Sequence, residues 1–321
     1  MTGQDTELGT SGIRISRIIM GTWQAGREMW AGIDDKESLE AVRAALDAGI
    51  TTFDTAEAYG SGHSERILGR ALQGHRSRVV LATKVFAHHL AYDKVFTACH
   101  RSLKNLRTDV IDLYQIHWPA GAHGSRRVPI EQTMSALNAL KQEGKIRAIG
   151  VSNFSKAQLV EAGQCGRIDS LQPPYSLFWR HFESDAQAYC LENDITVLAY
   201  SPLAQGLLTA KFDASRQLAD GDHRVQNRLF KGRHFERVQE ALKQLRPIAE
   251  KKRISPAQLA LAWVLAHPRT CAIAGARNAA QISENAGAAG IALTVEELDR
   301  MDGISRTVTD FLGDNPIMWD F

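Results

Sequence analysis

An acid and a phenol lie close together in the first quarter of the chain, where a short apolar run ends at Asp54 and Tyr59 follows in the next few residues. An acid at the end of a strand, with a phenol in the loop beyond it, is a pair that can tune a proton donor. Each residue also has an ordinary explanation, since Asp54 could cap the next helix and Tyr59 could be a half-buried loop aromatic.

Two further polar side chains, Lys84 and His117, follow later apolar runs. Taken singly, Lys84 is explained as a solvated surface charge and His117 as a hydrogen-bonded packing histidine. At one site with Asp54 and Tyr59 they would form a proton donor, because the ammonium stabilises phenolate and the carboxylate holds the ammonium. The imidazole would orient a carbonyl oxygen beside the phenol. Whether the four side chains meet depends on the elements that carry them.

Short apolar runs alternate with longer segments of helical period, which indicates repeated βα units. The helical period is clear in residues 35–48, where Asp34 or Asp35 is a suitable N-cap and Gly49 a stop signal. The other predicted elements are helices at 92–106 and 130–142 and strands at 17–20, 51–53, 79–82, 110–116, 146–151, 168–171, 196–199 and 270–274.

The positions of polar residues at the carboxyl ends of the apolar runs distinguish a closed barrel from an open doubly wound sheet. In a closed barrel all of these ends meet at one rim, whereas in an open sheet only those beside the switch point share a site. The pattern favours an α/β fold of the (β/α)8 TIM barrel type. The residues concerned are Trp23, Asp54, Lys84, His117, Ser152, Asn153, Gln172, Tyr200, Ser201, Gly275 and Arg277.

Three segments stand outside this repeat. Residues 7–16 contain a Gly-Thr-Ser-Gly turn between alternating stretches, which predicts an N-terminal β-hairpin. Residues 202–233 form a long loop after strand 7, of a length typical of functional lids or mobile segments. The tail at 308–321, which includes Trp319 and Phe321, would either pack on the outside of the barrel or form a flap over its rim.

Composition narrows the possible functions. The chain of 321 residues is 44% apolar and 23% charged with a net charge of +2 and no long like-charge block, so charge alone suggests neither a nucleic-acid nor a membrane partner. No composition shift marks a boundary, and we expect residues 1–321 to form a single domain in the cytoplasm. The four cysteines are far apart and no histidines have a metal-binding spacing, so reduced thiols and no metal site are expected.

The predicted rim would protonate an oxygen while another group attacks carbon. Residues 150–154 lack the second glycine of a Gly-x-Ser-x-Gly hydrolase motif, and residues 60–65 begin a dinucleotide fingerprint but lack its third glycine. With no nucleophile arrangement visible, the natural attacker is hydride from a nicotinamide, bound on the barrel rim.

Motifs along nearly the whole chain resemble those of the aldo-keto reductase family, in particular its bacterial-type branch, which is also similar to potassium-channel beta subunits. The matching residues occur in the family's order. They are Met20-Gly-Thr-Trp23, Phe53-Asp-Thr-Ala-Glu-Ala-Tyr-Gly60, Ser64-Glu65, Leu68-Gly69, Thr83-Lys84, Asp112-Leu-Tyr-Gln-Ile-His117, Gly144-Lys-Ile-Arg-Ala-Ile-Gly-Val-Ser-Asn-Phe154, Gln172-Pro-Pro-Tyr-Ser176, Ala199-Tyr-Ser-Pro-Leu-Ala-Gln-Gly-Leu-Leu208, Gly275-Ala-Arg277, Gln281 and Glu284-Asn285.

The resemblance implies a mechanism and a cofactor, NADP(H). Tyr59 would be the general acid in carbonyl reduction and the base in alcohol oxidation, tuned by Lys84 and Asp54, with His117 orienting the substrate oxygen. The cofactor would contact Ser152, Asn153 and Gln172 at its carboxamide, Tyr200 at the nicotinamide ring, Ser201, Pro202, Leu203, Gln205 and Gly206 at the pyrophosphate, Gly275, Arg277, Gln281, Glu284 and Asn285 at the adenosine end, and Gly21, Thr22 and Trp23 from the first strand.

Cofactor preference depends on one departure from the family pattern. Many members have an arginine where Gln281 stands, so Arg277 is the residue that remains to bind a ribose 2′-phosphate. An arginine can bind a phosphate with two hydrogen bonds, and NADP(H) is therefore preferred over NAD(H).

Aromatic residues are expected at the substrate pocket, namely Trp30, Phe86 and Trp118, with Trp23 and Trp179 nearby. Core packing is an equal alternative for Phe86 and Trp179. Such a pocket suits aryl aldehydes and sugar-like carbonyls alike. The expected partner is a small carbonyl or alcohol. The alternative function is a regulatory subunit that holds the cofactor and turns over slowly, and the intact set of four residues favours the enzyme.

Overall fold

Eight parallel strands form a closed barrel, in which strands that follow each other along the chain are neighbours and the last strand pairs with the first. The computed structural model describes residues 5–28, 30, 32–212, 218 and 221–318. Within that part of the chain, no helix is long and apolar enough to cross a lipid bilayer. The barrel strands are β3 (Ile18–Gly21), β4 (Thr52–Asp54), β5 (Val80–Val85), β6 (Ile111–Ile116), β7 (Ile146–Ser152), β8 (Ser170–Gln172), β9 (Thr196–Tyr200) and β10 (Thr270–Gly275).

Helices connect successive strands and surround the barrel, which confirms the (β/α)8 prediction. Along the first half of the barrel, α1 packs on α2, α2 on α3 and α3 on α4. The helices are α1 (Asp35–Asp47), α2 (His63–Ala71), α3 (Tyr92–Leu106), α4 (Ile130–Gln142), α5 (Lys156–Gln164), α6 (His181–Asp185), α7 (Gln187–Glu192), α8 (Gly232–Lys252), α9 (Pro256–Ala266), α10 (Ala279–Gly287) and α11 (Val295–Thr309).

The amino end of α1 follows from a local hydrogen-bond pattern that the sequence predicted. The Asp34 carboxylate accepts from the backbone N–H groups of Lys36 and Glu37, at 2.8 and 3.1 Å. It thereby satisfies two of the donors that a helix start leaves without a partner. Asp34 rather than Asp35 is the N-cap, and the helix buries Ala41, Val42 and Ala45 against the barrel.

Two strand boundaries differ from those predicted by two residues or more, and the others agree within one residue. Strand β5 continues to Val85, so Lys84 lies inside the strand rather than in the loop beyond it. The strand continues because Lys84 pairs with Gln115 of β6 in the parallel register while its side chain finds partners inside the barrel. Strand β8 begins at Ser170, two residues later than predicted from the apolar run that starts at Ile168.

The predicted hairpin consists of β1 (Asp5–Glu7) and β2 (Arg14–Ser16), which pair antiparallel. Leu8, Ile13 and Ile15 from this hairpin cluster with barrel-interior residues near the strand starts. The N–H of Gly9 also donates to Thr196 Oγ1 at 2.8 Å. The hairpin therefore closes the amino end of the barrel, which leaves the carboxyl end as the open one.

The long loop after strand 7 is present, between β9 and α8. Its described residues include the short 3-10 helices Ala204–Thr209, His223–Gln226 and Arg228–Phe230. The chain after α11 packs against this loop, because the N–H of Arg228 donates to the Met318 carbonyl at 3.3 Å.

The described part of the tail, which ends at Met318, contributes no residue to the wall of the cavity at the carboxyl end of the barrel. Trp179 also holds it, since Nε1 donates to the Pro316 carbonyl at 3.4 Å. The aromatic residues Trp319 and Phe321 lie outside the described residues.

Candidate active site

A cavity of about 630 Å³ opens at the carboxyl end of the barrel. Its wall contains the last residues of several strands, including Gly21, Asp54 and Gln172. All of the site residues predicted from the sequence line this cavity except Lys84, which is fully buried behind it. The fold thus brings the predicted residues together because all parallel strands end at one rim.

Lys84 joins the acid and the phenol. Its Nζ donates to Asp54 Oδ1 at 2.5 Å, to the Thr55 carbonyl at 2.8 Å and to Tyr59 Oη at 3.3 Å. A fully buried ammonium is stable only with such partners. The helix-capping explanation of Asp54 is wrong, because α2 begins after Gly62 with no side-chain cap.

Burial and charge oppose each other at the phenol. Burial raises the pKa of Tyr59 above its ordinary value; Lys84 works in the opposite direction without outweighing burial. For Lys84 itself, burial lowers the pKa, but the neighbouring Asp54 and Tyr59 outweigh burial and leave that pKa above its usual value. The expected stabilisation of phenolate is therefore only one of two effects. At neutral pH the pair holds a protonated phenol beside a charged ammonium.

His117 lies next to the phenol of Tyr59. It directly follows β6, and its ring is edge-on to the Tyr59 ring with centres 5.6 Å apart. Burial lowers the pKa of His117 well below its usual value, and the charge of Lys84 adds to this effect, so the imidazole is neutral at physiological pH. Its Nδ1 atom is buried with no hydrogen-bond partner in the described part of the chain, which leaves Nε2 as the nitrogen available to a ligand.

Two amides complete the surroundings of Asp54, and one of them was not predicted. Gln172 Nε2 donates to Asp54 Oδ2 at 3.0 Å and to Gln115 Oε1 at 3.1 Å. Gln115 Nε2 donates to the same Asp54 oxygen at 3.1 Å. Gln115 is fully buried. The available signal was a polar residue within a short strand that is buried along its whole length.

Ser152, Asn153 and Tyr200 form a second hydrogen-bond network on the cavity wall. Ser152 Oγ donates to the Gln172 carbonyl at 2.8 Å, and Asn153 Nδ2 donates to the His117 carbonyl at 3.0 Å. Tyr200 Oη donates to Asn153 Oδ1 at 2.9 Å. Asn153 has a φ of 61°, a backbone conformation that asparagine tolerates better than most residues. The network therefore fixes the Asn153 side chain next to His117.

The turn that follows β9 has an unusual backbone. Ser201, Ala204 and Gln205 have φ values of 52°, 46° and 55°, and all three line the cavity or lie directly behind it. Non-glycine residues in this region cost energy and are concentrated at functional sites. Gln205 is held by Asn227, whose Nδ2 donates to Gln205 Oε1 at 2.9 Å. The predicted pyrophosphate segment, at the start of the long loop, is thus tied to a later part of the same loop.

The far end of the cavity carries Arg277, Gln281, Glu284 and Asn285. Gln281 Oε1 accepts from the backbone N–H of Arg277 at 2.9 Å, so this glutamine shapes the turn. The guanidinium carbon of Arg277 lies 5.8 Å from the centre of the Trp30 ring. Arg277 therefore reaches over the cavity in this structure.

Aromatic rings surround the end of the cavity near Tyr59. Trp23 and Trp30 meet edge to face at 5.3 Å, and the Phe86 ring lies 5.6 Å from that of His117. Trp179 is buried away from the cavity, as its core-packing alternative stated. Residues that line the cavity but were not predicted include Gln24, Glu28, Ala58, His123 and Arg224.

No group of three or more His, Cys, Asp or Glu residues that could hold a metal ion occurs in the ranges that the structure describes. None of the four cysteines forms a disulfide bond. Burial raises the pKa of the Cys271 thiol to about 12.

A closed (β/α)8 barrel with this carboxyl-end site defines an oxidoreductase of a known class. The statistical model of the Aldo/keto reductase family matches residues 17–306, and the chain belongs to this family. An aldo-keto reductase of Bacillus subtilis, YhdN, is 39% identical over 321 residues, which cover 96% of each chain.

Two solved structures share the whole fold. The glycerol dehydrogenase AKR11B4 of Gluconobacter oxydans is 34% identical, with a TM-score of 0.88, over 100% of this chain and 99% of the other. An aldo-keto reductase of Klebsiella pneumoniae in complex with NADPH is 30% identical, with a TM-score of 0.77, over 100% of both chains. The chain is similar to these proteins over their full length.

Proposed function

We propose that this protein is an NADP(H)-dependent oxidoreductase that reduces aldehydes or ketones to alcohols, or catalyses the reverse reaction, with Tyr59 as general acid and base. The observation that carries the proposal is the contact of buried Lys84 with both Asp54 and Tyr59, next to His117 on one cavity wall. The same geometry has no role in a protein that only binds the cofactor.

The cavity fits a nicotinamide dinucleotide. Gln172 uses both N–H groups of its amide inside the barrel, while its Oε1 has no hydrogen-bond partner in the described structure and is available to an amide donor. Ser152 and Asn153 lie beside it, and Arg277 supplies a positive charge at the far end. When bound there, the nicotinamide supplies the hydride equivalent that reduces a carbonyl carbon. The NADPH complex of the Klebsiella relative supports this assignment.

Tyr59 would donate its proton to the carbonyl oxygen of the substrate. Its raised pKa keeps the phenol protonated at neutral pH, as a general acid requires. As the proton leaves, the ammonium of Lys84 would stabilise the developing phenolate, and Asp54 would hold that ammonium in place.

His117 would orient the same oxygen as a neutral hydrogen-bond donor. A buried N–H with no acceptor is less readily tolerated than a buried acceptor with no donor, and Nδ1 is the buried unpaired atom. The proton is therefore assigned to Nε2, which can point it at the substrate oxygen. Since the pKa of His117 is lowered, this neutral form persists below the usual histidine range.

NADP(H) is preferred over NAD(H) because Arg277 can bind a phosphate group. Its guanidinium carbon lies 5.8 Å from the centre of the Trp30 ring, and both side chains belong to the cavity wall.

The experiment measures NADPH consumption with a panel of aldehydes and ketones. Wild type should turn over at least some of them, and Tyr59→Phe should lose about 10²- to 10⁴-fold, the usual contribution of a general acid. Tyr92→Phe, which changes an exposed phenol on α3, serves as the matched control and should retain full activity. Wild type that binds NADPH but is no faster than Tyr59→Phe would defeat the enzyme assignment in favour of a regulatory, cofactor-holding subunit.

A further inference from the structure

We propose that Gln115 is a positioning residue that couples the proton donor to the cofactor-binding amide, by holding Asp54 with one end of its side chain and Gln172 with the other. The inference rests on the proposed function and extends it to a residue outside the four that would act on the carbonyl. Gln115 touches neither the cavity nor a ligand site, since it is fully buried and absent from the cavity wall.

The hydrogen-bond directions around Gln115 are fixed by chemistry. An ionised Asp54 can only accept, so the amide atoms that contact its Oδ2 must be the NH2 groups of Gln115 and Gln172. This turns Gln115 Oε1 toward Gln172, where it accepts the second N–H at 3.1 Å. All three contacts are satisfied by one arrangement only.

That arrangement decides which face Gln172 presents to the cavity. Both of its N–H groups point inward, to Asp54 and Gln115, and only Oε1 remains for a ligand. A carboxamide bound there must donate rather than accept. If the Gln172 amide rotated by half a turn, its Oε1 would face Asp54 Oδ2, and two acceptors would oppose each other. Asp54 Oδ2 and Gln115 Oε1 together therefore select the orientation in which Gln172 can receive a carboxamide N–H.

The barrel provides space for this bridge at one position. Gln115 of β6 lies in register with Gly150 of β7, and a Cβ atom added to Gly150 would lie 3.0 Å from Gln115 Cγ and 2.2 Å from Ser170 Oγ. The Gln115 side chain thus passes closely over the glycine on its way to Gln172. Any larger residue at 150 would compete with it for this space.

Gln115→Met and Gln115→Glu test the inference, with Tyr114→Phe as the control. Methionine keeps the volume and removes both polar ends, so we expect kcat/KM for the carbonyl and NADPH affinity each to fall about 10- to 100-fold, as for the loss of a hydrogen bond to a charged group. The control removes a hydroxyl from the adjacent buried residue, which has no hydrogen-bond partner in the described structure, and should change neither quantity.

Gln115→Glu makes the two roles of the residue depend on pH. Two carboxylates this close cannot both stay charged, so the pair formed with Asp54 holds one proton at low pH, and this proton replaces the amide N–H. The ionisable groups joined to this pair are Lys84 and, through it, Tyr59. Activity and NADPH affinity should approach those of wild type at low pH and fall together as the pair loses its proton. In wild type, NADPH affinity should show no such fall, and activity should fall only at the higher pH where Tyr59 ionises.

A purely structural role would lower the melting temperature of both variants without moving the pH profile or the NADPH dissociation constant, and this result would overturn the proposal. A Gln115→Glu variant whose NADPH affinity is independent of pH would also overturn the proposal. This measurement is sufficient by itself if Gln115→Met does not fold. NADPH binding, followed by fluorescence without a carbonyl, remains readable if wild type reduces none of the test compounds. In that case the proposed function fails while Gln115 is still tested.

Discussion

Replacing Lys84 by methionine separates the stability of the buried ion pair from its chemical use. The side chain is fully buried, and its Nζ makes three contacts, to Asp54 Oδ1, the Thr55 carbonyl and Tyr59 Oη. Methionine retains most of the volume, so the change mainly removes the charge and the donors. Asp54, 3% exposed, is left as a buried carboxylate without its cation.

The expected loss follows from what remains around Asp54. Removing one partner of a buried ion pair costs about 3–5 kcal/mol, because the other charge stays buried without compensation. Asp54 keeps the N–H donors of Gln115 and Gln172 on its other oxygen, at 3.1 and 3.0 Å. We therefore expect Lys84→Met to lower the free energy of unfolding by about 3 kcal/mol, the lower end of that range.

A double variant distinguishes this explanation from a general packing defect. Lys84→Met combined with Asp54→Asn removes the uncompensated charge and should recover most of the lost stability, while activity stays as low as in the single variant. Unfolding by urea at neutral pH, followed by circular dichroism, measures the first effect, and NADPH consumption measures the second. The reasoning is refuted if Lys84→Met costs less than about 1 kcal/mol, or if the double variant is no more stable than the single one.

Three further predictions concern the cofactor, pH and packing. Arg277→Ala should raise the NADPH dissociation constant about 10-fold or more with little change for NADH, whereas equal effects would reject Arg277 as the phosphate ligand. Burial lowers the pKa of His117, so below about pH 6.5 the unfolded chain binds a proton at this residue that the folded chain does not bind. The free energy of unfolding should therefore decrease as the pH is lowered through this range. Urea midpoints at about pH 5 and pH 7 should differ less in His117→Gln than in wild type, and an unchanged difference would contradict this cause. Gly150→Ala places a Cβ 2.2 Å from Ser170 Oγ and should cost about 1–3 kcal/mol, and Gly150→Ala with Ser170→Gly should regain part of it in the same urea assay.

The barrel and its rim were predictable because parallel βα units leave a strong periodic signal. Helices α3 and α4 have the predicted bounds, and Asp54 and Tyr200 lie at the carboxyl ends of their strands as predicted, although each strand ends one residue later than its predicted bound. The rim prediction needed only that every strand run in the same direction. The fold requires this direction, and no pairwise contact had to be known in advance.

Side chains inside the barrel were harder to predict. Gln115 is buried near the carboxyl end of β6, where a polar residue is unfavourable unless it is hydrogen-bonded, and its partners come from β4 and β8. The parallel register places it next to Lys84. Sequence spacing gives no measure of which inward side chains from distant strands touch, since that depends on the closure and stagger of the barrel. His123 and Arg224 were missed for a related reason, because loop conformation places them on the cavity wall.

The protonation of Tyr59 depends both on partners that the sequence predicted and on burial that the closed barrel produces. The sequence predicted Tyr59 and its partners Lys84 and Asp54. It also predicted a phenolate stabilised by Lys84, whereas in the structure burial keeps the phenol protonated. The two effects belong to different stages of the proposed reaction. Burial sets the state before proton transfer, and the ammonium, at 3.3 Å, acts as charge develops on the oxygen. Tyr59 has a raised pKa before the reaction, and its phenolate would be stabilised by the ammonium of Lys84. Tyr59 is therefore suited to donate its proton only when a substrate oxygen is in position to accept it.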